Sequence, residues 1–171
     1  MTKLLHKGSL DWKGNSHEIE VYESDEINGL DPITQCQGVC FVDQDHIVLF
    51  KHIGGYYSLP GGTVENGEKY EDTLKREVME ESSCKVIECG LIGYIKDVEI
   101  PSGKTKYQLR YWATVTLLDI PVQDPSRKAL ERLVVPINEA NKLLNWGERG
   151  QVLIELAKRK YSSNSGVQSQ A

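Results

Sequence analysis

Strand-like and helix-like spacing of apolar residues divides the chain into an ordered series of predicted elements. Residues 17–23, HEIEVYE, alternate polar and apolar side chains after the turn-like KGNS, which predicts a β-hairpin near the N-terminus. Within residues 36–52, the apolar runs GVCFV and HIVLF predict two buried strands around an Asp-Gln-Asp turn. A glycine-rich loop, GGYYSLPGG, comes next, and residues from about 67 to 82 are predicted to be helical.

The second half of the chain predicts further strands and two further helices. Residues 84–100 and 106–118 predict long strands on either side of a turn at residues 101–104. After a polar connection, RLVVPI predicts a short strand, and NEANKLLNW and RGQVLIELAKRK place apolar residues at helical spacing. The sum is an α/β fold, in which helices flank a mixed sheet without strict βαβ alternation.

Length and composition favour one folded domain with short additions at its ends. The chain has 171 residues, of which 39% are hydrophobic and 26% charged, values ordinary for a globular protein. We expect an N-terminal extension with a β-hairpin over residues 1–30, a main domain over residues 31–161, and a disordered polar tail over residues 162–171.

Charge and hydropathy narrow the class of protein. The formal net charge of −5 argues against a general nucleic-acid binder, because no basic stripe is present to neutralise phosphates. No apolar run approaches the roughly 20 residues of a membrane span, and MTKLLHKGSL lacks the apolar block of a signal peptide. We therefore expect a cytoplasmic protein. Cys36 and Cys40 would share one strand face, which favours small core side chains over a zinc site.

The most informative stretch is GGTVENGEKYEDTLKREVMEES, residues 61–82, which holds seven acidic residues and three basic ones. In a helix, Glu77, Glu80 and Glu81 lie at i, i+3 and i+4, so their carboxylates share one face. Like charges at this spacing repel by about 0.2–0.5 kcal/mol per pair when exposed. A divalent cation reverses that sign, since converging carboxylate oxygens are the ligands that Mg²⁺ or Mn²⁺ requires.

The loop before this helix has chemistry of its own. Pro60 fixes one backbone angle, while Gly61 and Gly62 let the backbone approach a ligand closely. Glu68, in the first helical turn, interacts favourably with the helix dipole, and Arg76 is placed to clamp neighbouring carboxylates. An acidic run that is only a solvated helix face is the competing interpretation.

The spacing of these residues resembles the signature of the Nudix hydrolases. Gly62, Glu68 and then Arg76-Glu77-Val78-Met79-Glu80-Glu81 match the family pattern, and Tyr57-Ser58-Leu59-Pro60-Gly61 resembles its lead-in. This matching segment, residues 62–84, is called the box below. It departs from the family pattern at Ser83, where the family has glycine, and Cys84 stands in for an aliphatic residue. A serine would need roughly 1 kcal/mol to adopt the left-handed conformation of a terminating glycine, so we expect the helix to end differently.

The resemblance implies an α/β/α sandwich with a mixed β-sheet and a loop–helix–loop catalytic motif. It also implies that Glu77, Glu80 and Glu81 bind Mg²⁺ or Mn²⁺ together with the Gly61 carbonyl, that Glu68 contacts metal through water, and that Arg76 orients the acidic residues. The implied reaction is attack of water on one phosphorus of a diphosphate. A carboxylate would act as general base. The candidates are Glu80, Glu81 and two acids outside the box, Asp124 and Glu131.

Substrate contacts outside the box are weaker predictions. Lys51 and Arg110 are strand cations that could meet phosphate, and Tyr57 or its neighbour Tyr56 could stack on a base. For each of them, an exposed strand cation or an aromatic side chain that covers the core is the competing interpretation.

The family resemblance leaves the substrate open. We expect a nucleoside triphosphate or related nucleotide, with ADP-ribose or a nucleotide sugar as the alternative. A non-catalytic nucleotide sensor on the same fold is a second alternative, which the retained carboxylates disfavour. The expected partner is a small nucleotide, with no nucleic acid and no membrane. A homodimer is also open, because some members of the family that act on ADP-ribose dimerise through an N-terminal strand domain.

Overall fold

Nine strands and three helices form within residues 1–166, the part of the chain that this computed structural model describes. Their bounds are β1 (Thr2–Trp12), β2 (Asn15–Ser24), β3 (Ile33–Phe41), β4 (His46–His52), β5 (Tyr57–Ser58), β6 (Gly61–Thr63), α1 (Tyr70–Ser82), β7 (Cys84–Ile100), β8 (Thr105–Leu117), β9 (Ala129–Pro136), α2 (Ile137–Leu144) and α3 (Gly147–Gly166). No helix in this part of the chain is long and apolar enough to cross a membrane.

All nine strands belong to one mixed sheet. The main path runs β1-β2-β7-β8-β3-β4-β5, with β6 paired to β3 and β9 paired to β4. The β3–β8 pair is parallel, whereas the other pairs are antiparallel. The parallel pair lies at the middle of the sheet and aligns Gln37 on β3 with Arg110 on β8.

Helices cover both faces of this sheet, which confirms the predicted α/β/α sandwich. On one face, α1 inserts Leu74 and Val78 among Cys36, Cys40 and other buried strand residues. On the other face, α2 and α3 pack on a separate apolar cluster that contains Phe41, Trp112 and Leu153, among others. The alternation of side chains along β3 and β8 thus sends successive residues into two different cores.

The predicted helix of the acidic stretch is confirmed, but it begins three residues later than expected. Gly67 has φ of +78° and forms a turn, in which the Glu68 backbone N–H donates to the Glu65 carbonyl at 3.0 Å. The helix begins only after Lys69, whose extended backbone precedes the first helical residue. The asparagine-glycine pair of this turn therefore competes successfully with helix formation.

The N-terminal hairpin is present and is longer than residues 17–23 alone suggest. Strands β1 and β2 pair along almost their whole length, and β2 then pairs with β7 from Glu23–Gly93 to Ser16–Ile100. The hairpin consequently extends the same sheet as the main domain. Its boundary near residue 30 remains a prediction.

The predicted tail is partly helical, which corrects the expectation for its first five residues. Residues 162–166 continue α3, where Ser163 and Ser165 donate hydroxyl hydrogen bonds to the carbonyls of Arg159 and Tyr161. Asn164 also donates to Glu88 on β7 at 3.3 Å. Residues 167–171 of the predicted tail lie outside the described residues.

Replacing Leu74 tests the packing of α1 on the sheet. Leu74 is fully buried, so Leu74→Ala removes apolar contacts and leaves a cavity, and we expect a loss of about 2–5 kcal/mol in the free energy of unfolding. The measurement is urea denaturation. Leu130→Ala, at a side chain that is 52% exposed, is the matched control with an expected change within about 0.5 kcal/mol. Equal losses in the two variants would contradict this packing.

Candidate active site

Gly61 and Gly62 let the loop before α1 pack closely against β3 and α1. A Cβ on Gly61 would overlap the Cys36 carbonyl and the backbone of Gln37, and a Cβ on Gly62 would overlap the Glu77 carboxyl group. Gly61 also donates its backbone N–H to Oε1 of Glu81 at 2.8 Å. The loop is therefore held between β3 on one side and the acidic face of α1 on the other.

Arg76 connects the loop, the start of α1 and its acidic face. Its Nε donates to Glu68 at 2.8 Å, and its Nη1 donates to Glu77 at 2.9 Å and to Glu80 at 3.3 Å. Its Nη2 donates to the Thr63 carbonyl at 3.1 Å. One guanidinium thus contacts three of the predicted carboxylates and the end of β6. Its orienting role in catalysis remains a prediction.

The electrostatics of the box separate its carboxylates into two groups. Burial raises the pKa of Glu81 to about 8, and the charges of Glu77, Asp124 and Glu80 act in the same direction. Burial also raises the pKa of Glu77, against the hydrogen bond from Arg76. Hydrogen bonds from Arg76 and Thr73, in contrast, lower the pKa of Glu68 to about 2. Glu77 and Glu81 therefore lie in a partly desolvated site where negative charges repel one another.

The donor set fits a hard divalent cation. Glu77, Glu80 and Glu81 contribute carboxylate oxygens on one helix face, and their mutual repulsion is the condition that a dication relieves. Within residues 1–166, no three acidic, histidine or cysteine side chains stand in a ready-made ligand arrangement, and Arg76 is bonded to Glu77 and Glu80. Binding a cation at these oxygens would therefore require their side chains to turn from the guanidinium.

Ser83 adopts the left-handed conformation that glycine usually supplies, which corrects the expected end of the helix. Its φ and ψ are 50° and 45°, and its backbone N–H closes the helix on the Met79 carbonyl at 3.0 Å. Its hydroxyl donates to the Pro121 carbonyl at 3.0 Å. Arg132 donates Nη1 to the carbonyls of Ser83 and Leu118 at 2.9 and 3.2 Å. These hydrogen bonds offset the strain that a Cβ creates in this conformation.

Asp124 lies close enough to the box for its charge to act on it. The negative charge of Asp124 raises the pKa values of both Glu77 and Glu81. Its carboxylate accepts hydrogen bonds from the backbone N–H groups of Ser126 and Ala129 at 3.0 and 2.9 Å. Despite opposing burial, these bonds hold the pKa of Asp124 below its usual range. The loop between β8 and β9 thus places the Asp124 carboxylate, whose hydrogen bonds favour ionisation, near the acidic face of α1.

The remaining predicted site residues form no hydrogen bond or ion pair with the carboxylates of the box in the described part of the chain. Lys51 and Glu131 are paired residues on β4 and β9, and no ion pair joins either to the box among the described residues. Tyr57 packs against the core beneath α2 and α3, whereas Tyr56 lines a cavity together with Arg110. Substrate contacts by Lys51, Tyr57 and Arg110 remain predictions.

This cavity, called the hairpin cavity below, has a volume of about 420 Å³. It is bounded by the N-terminal hairpin, by one face of β3 and β8, and by the start of α3. Its lining comprises Leu10, Trp12, Ile19, Gln35, Gln37, Tyr56, Ile95, Asp97, Gln108, Arg110, Trp146, Arg149 and Leu153. Apart from Arg110 and Tyr56, the sequence patterns did not indicate these residues as site residues, because pairing of distant strands brings them together.

Comparison with known proteins places the chain in a family. The family model of the NUDIX domain matches residues 34–156. The chain belongs to the Nudix family. This finding confirms the resemblance of the box residues, and the Nudix fold agrees with the sandwich described above.

Curated Nudix relatives align with this chain over short segments. One is an NAD-capped RNA hydrolase NudC from Photorhabdus laumondii, 44% identical over 57 residues, which are 32% of this chain and 22% of the relative. Another is an 8-oxo-dGTP diphosphatase from Proteus vulgaris, 41% identical over 44 residues, 26% of this chain and 39% of the relative. The chain therefore spans less than half the length of either relative.

Solved Nudix structures share the fold over most of the chain. A mutant of the Bacillus subtilis pyrophosphohydrolase BsRppH has a TM-score of 0.69 at 18% identity and covers 91% of this chain and 98% of its own. A structure described as an ADP compounds hydrolase has a TM-score of 0.57 at 15% identity, with 96% of both chains covered. At these identities the similarity establishes the architecture alone.

Two substitutions at position 83 test the left-handed helix end. Both Ser83→Gly and Ser83→Ala remove the hydrogen bond to Pro121, but only glycine removes the conformational strain. We expect Ser83→Gly to be more stable than Ser83→Ala by about 1 kcal/mol, measured by urea denaturation. Alanine equal to or more stable than glycine would show that residue 83 is not left-handed in solution.

Proposed function

We propose that this Nudix protein hydrolyses a diphosphate bond in a nucleoside diphosphate derivative, such as a nucleoside triphosphate. The observation that supports the proposal is the group of Glu77, Glu80 and Glu81 carboxylates on one face of α1, connected to the diglycine loop by Arg76 and Gly61. Such a group alone would repel a diphosphate. With Mg²⁺ or Mn²⁺ between them, acidic side chains and an anionic substrate can bind together.

In the proposed site, Glu77, Glu80 and Glu81 would hold the cation with the Gly61 carbonyl, and Glu68 would contact it through water. A cation held there would supply positive charge for the phosphate oxygens and lower the pKa of bound water. Arg76 keeps the carboxylates of Glu77 and Glu80 in place between turnovers. The N–H of Gly61 orients one oxygen of Glu81.

A general base must take the proton that the attacking water releases. Glu81 is one candidate, since it lies on the acidic face of α1 and the Gly61 N–H orients one of its oxygens. Glu80 and Asp124 are the alternatives. Asp124 lies on a separate loop, and its hydrogen bonds favour the ionised form that can accept a proton. Glu131 is a weaker candidate, because no hydrogen bond or ion pair in the described chain connects it to these residues.

Other substrates with a diphosphate bond remain alternatives. ADP-ribose and nucleotide sugars would present the same scissile group to the carboxylates, and the fold similarity to an ADP compounds hydrolase is compatible with them. A long RNA is less favoured, despite the name of the Photorhabdus relative, because the chain carries a net charge of −5. A nucleotide sensor without catalysis would not require the full set of box carboxylates that this chain retains.

Replacing Glu77 tests catalysis directly. Glu77→Gln keeps the shape of the side chain but removes the charge that would bind the cation. We therefore expect kcat/KM with a nucleoside triphosphate panel to fall by about 10²-fold or more while the fold is retained. Glu71→Gln, on the exposed side of the same helix, is the control and should stay within about twofold of the unmodified protein. Full activity of Glu77→Gln would exclude the proposed site, and inactivity of every variant on a broad panel would favour a sensor.

Removing the metal tests the cation separately. Treatment with a chelator should abolish hydrolysis, and added Mg²⁺ or Mn²⁺ should restore it. Isothermal titration calorimetry of the metal-free protein should detect uptake of Mn²⁺ that weakens by about tenfold or more in Glu80→Gln, because one carboxylate ligand is lost. Undiminished turnover in the chelator, or identical Mn²⁺ binding by Glu80→Gln, would contradict this assignment.

A further inference from the structure

Within residues 1–166, the hairpin cavity contains a buried cation, Arg110, that forms no ion pair with a carboxylate. Arg110 is only 5% exposed, and its guanidinium donates to Gln35, Gln108 and the Leu109 carbonyl at 3.0–3.1 Å. All of these acceptors are neutral. Its Nε–H is buried and has no acceptor among residues 1–166. Burial lowers the pKa of Arg110 to about 9, which still leaves it charged at neutral pH.

Gln37 supplies a buried acceptor beside this donor. Its side chain is 6% exposed, and its Nε2 donates to the Leu59 carbonyl at 3.0 Å. That bond fixes the orientation of the amide, because a flipped amide would place its oxygen against the Leu59 oxygen. The Oε1 atom of Gln37 has no donor in the described part of the chain.

The donor and the acceptor belong to neighbouring residues of the sheet. Gln37 and Arg110 are aligned residues of the parallel β3–β8 pair, so their side chains project from the same face of the sheet into the cavity. Unsatisfied buried polar groups are rare in folded proteins, and two adjacent ones at a cavity indicate a ligand with the complementary pair. That ligand presents an acceptor next to a donor.

The remaining walls of the cavity indicate a flat ring. Trp12, Tyr56 and Trp146 line it with aromatic surface, and Leu10, Ile19 and Leu153 add apolar surface. A planar heterocycle that stacks on aromatic side chains and hydrogen-bonds through one edge matches both features. The volume of about 420 Å³ is large enough to hold a nucleobase with its ribose.

The position of Gln37 relates this cavity to the proposed site of hydrolysis. On its β8 side Gln37 aligns with Arg110, and on its other side it aligns with Gly61 of β6. Gly61 in turn donates to Glu81. Because the carboxylates lie on the α1 side of the sheet, a nucleotide with its base against Gln37 and Arg110 would have to extend its phosphates around the sheet edge at Gly61 to reach them.

We propose that Arg110 and Gln37 recognise the lactam edge of a nucleobase, a ring N–H beside a carbonyl group, as in hypoxanthine and guanine. Adenine also offers a donor and an acceptor, but its acceptor is a ring nitrogen with less negative charge than a carbonyl oxygen. A buried guanidinium without a carboxylate partner interacts more strongly with the carbonyl oxygen. The orientation of the phosphates rests on the proposed function, whereas recognition of the base does not.

Calorimetry with nucleoside monophosphates and no metal tests base recognition apart from hydrolysis. Inosine and adenosine 5′-monophosphate share one ring system and differ at this edge. We expect the inosine nucleotide to bind at least about tenfold more tightly, since a site built on hydrogen bonds rejects a mismatched analogue. N1-methylinosine 5′-monophosphate, which lacks the ring N–H, should lose about the same factor on the unmodified protein. Equal binding of the three, tighter binding of adenosine monophosphate, or binding of none would overturn the proposal.

A pair of variants assigns the effect to Gln37. Gln37→Met removes the acceptor for the ring N–H and should bring the preference for inosine over N1-methylinosine monophosphate near one. Gln151→Met, on the exposed surface of α3, should leave it unchanged. An unchanged preference in folded Gln37→Met would overturn the assignment. Hydrolysis of inosine and adenosine triphosphates with Mg²⁺ then separates the two proposals. Inosine-selective binding without hydrolysis of any nucleotide would refute only the proposed function. Hydrolysis without any preference would refute only the recognition of the lactam edge.

Discussion

Repulsion between carboxylates on one face of α1 is the constraint on which the rest of the site depends. Glu77, Glu80 and Glu81 are held close together in a partly buried position, where each charge raises the energy of the others. Arg76 relieves part of this repulsion and at the same time bonds the loop carbonyl of Thr63. The same contacts that make the acidic face tolerable therefore also set the position of the glycine loop against it.

The sheet separates the proposed site of hydrolysis from the proposed nucleobase site. Side chains of β3 that alternate in direction enter different environments, so Cys36 packs under α1 while Gln35 and Gln37 face the hairpin cavity. Gly61 lies at the edge between these environments, paired to β3 and bonded to Glu81. The carboxylates of the box are thus collected on one side, and Arg110 with the amides of Gln35 and Gln37 lies in the cavity on the other.

Local patterns in the sequence predicted those elements whose formation depends on neighbouring residues. Helical spacing and the charge order of Arg76 to Glu81 predicted α1 and its acidic face, and apolar runs predicted β3 and β4. The full length of β1 depends on its pairing with β2, and the proximity of Gln37 to Arg110 depends on the pairing of β3 with β8. A short sequence pattern does not predict such pairing. The left-handed Ser83 was missed for the same reason, because its compensating contacts come from Pro121 and Arg132, far along the chain.

The hairpin and α3 close the cavity from opposite ends of the chain. Glu23 on β2 forms ion pairs with Arg159 and Lys160 of α3 at 3.0 and 3.1 Å. Trp12 of β1 and Trp146, the residue before α3, line the cavity. None of these residues belongs to the box. Substitutions in these two terminal segments would therefore alter walls of the proposed nucleobase site without changing the carboxylates of the box.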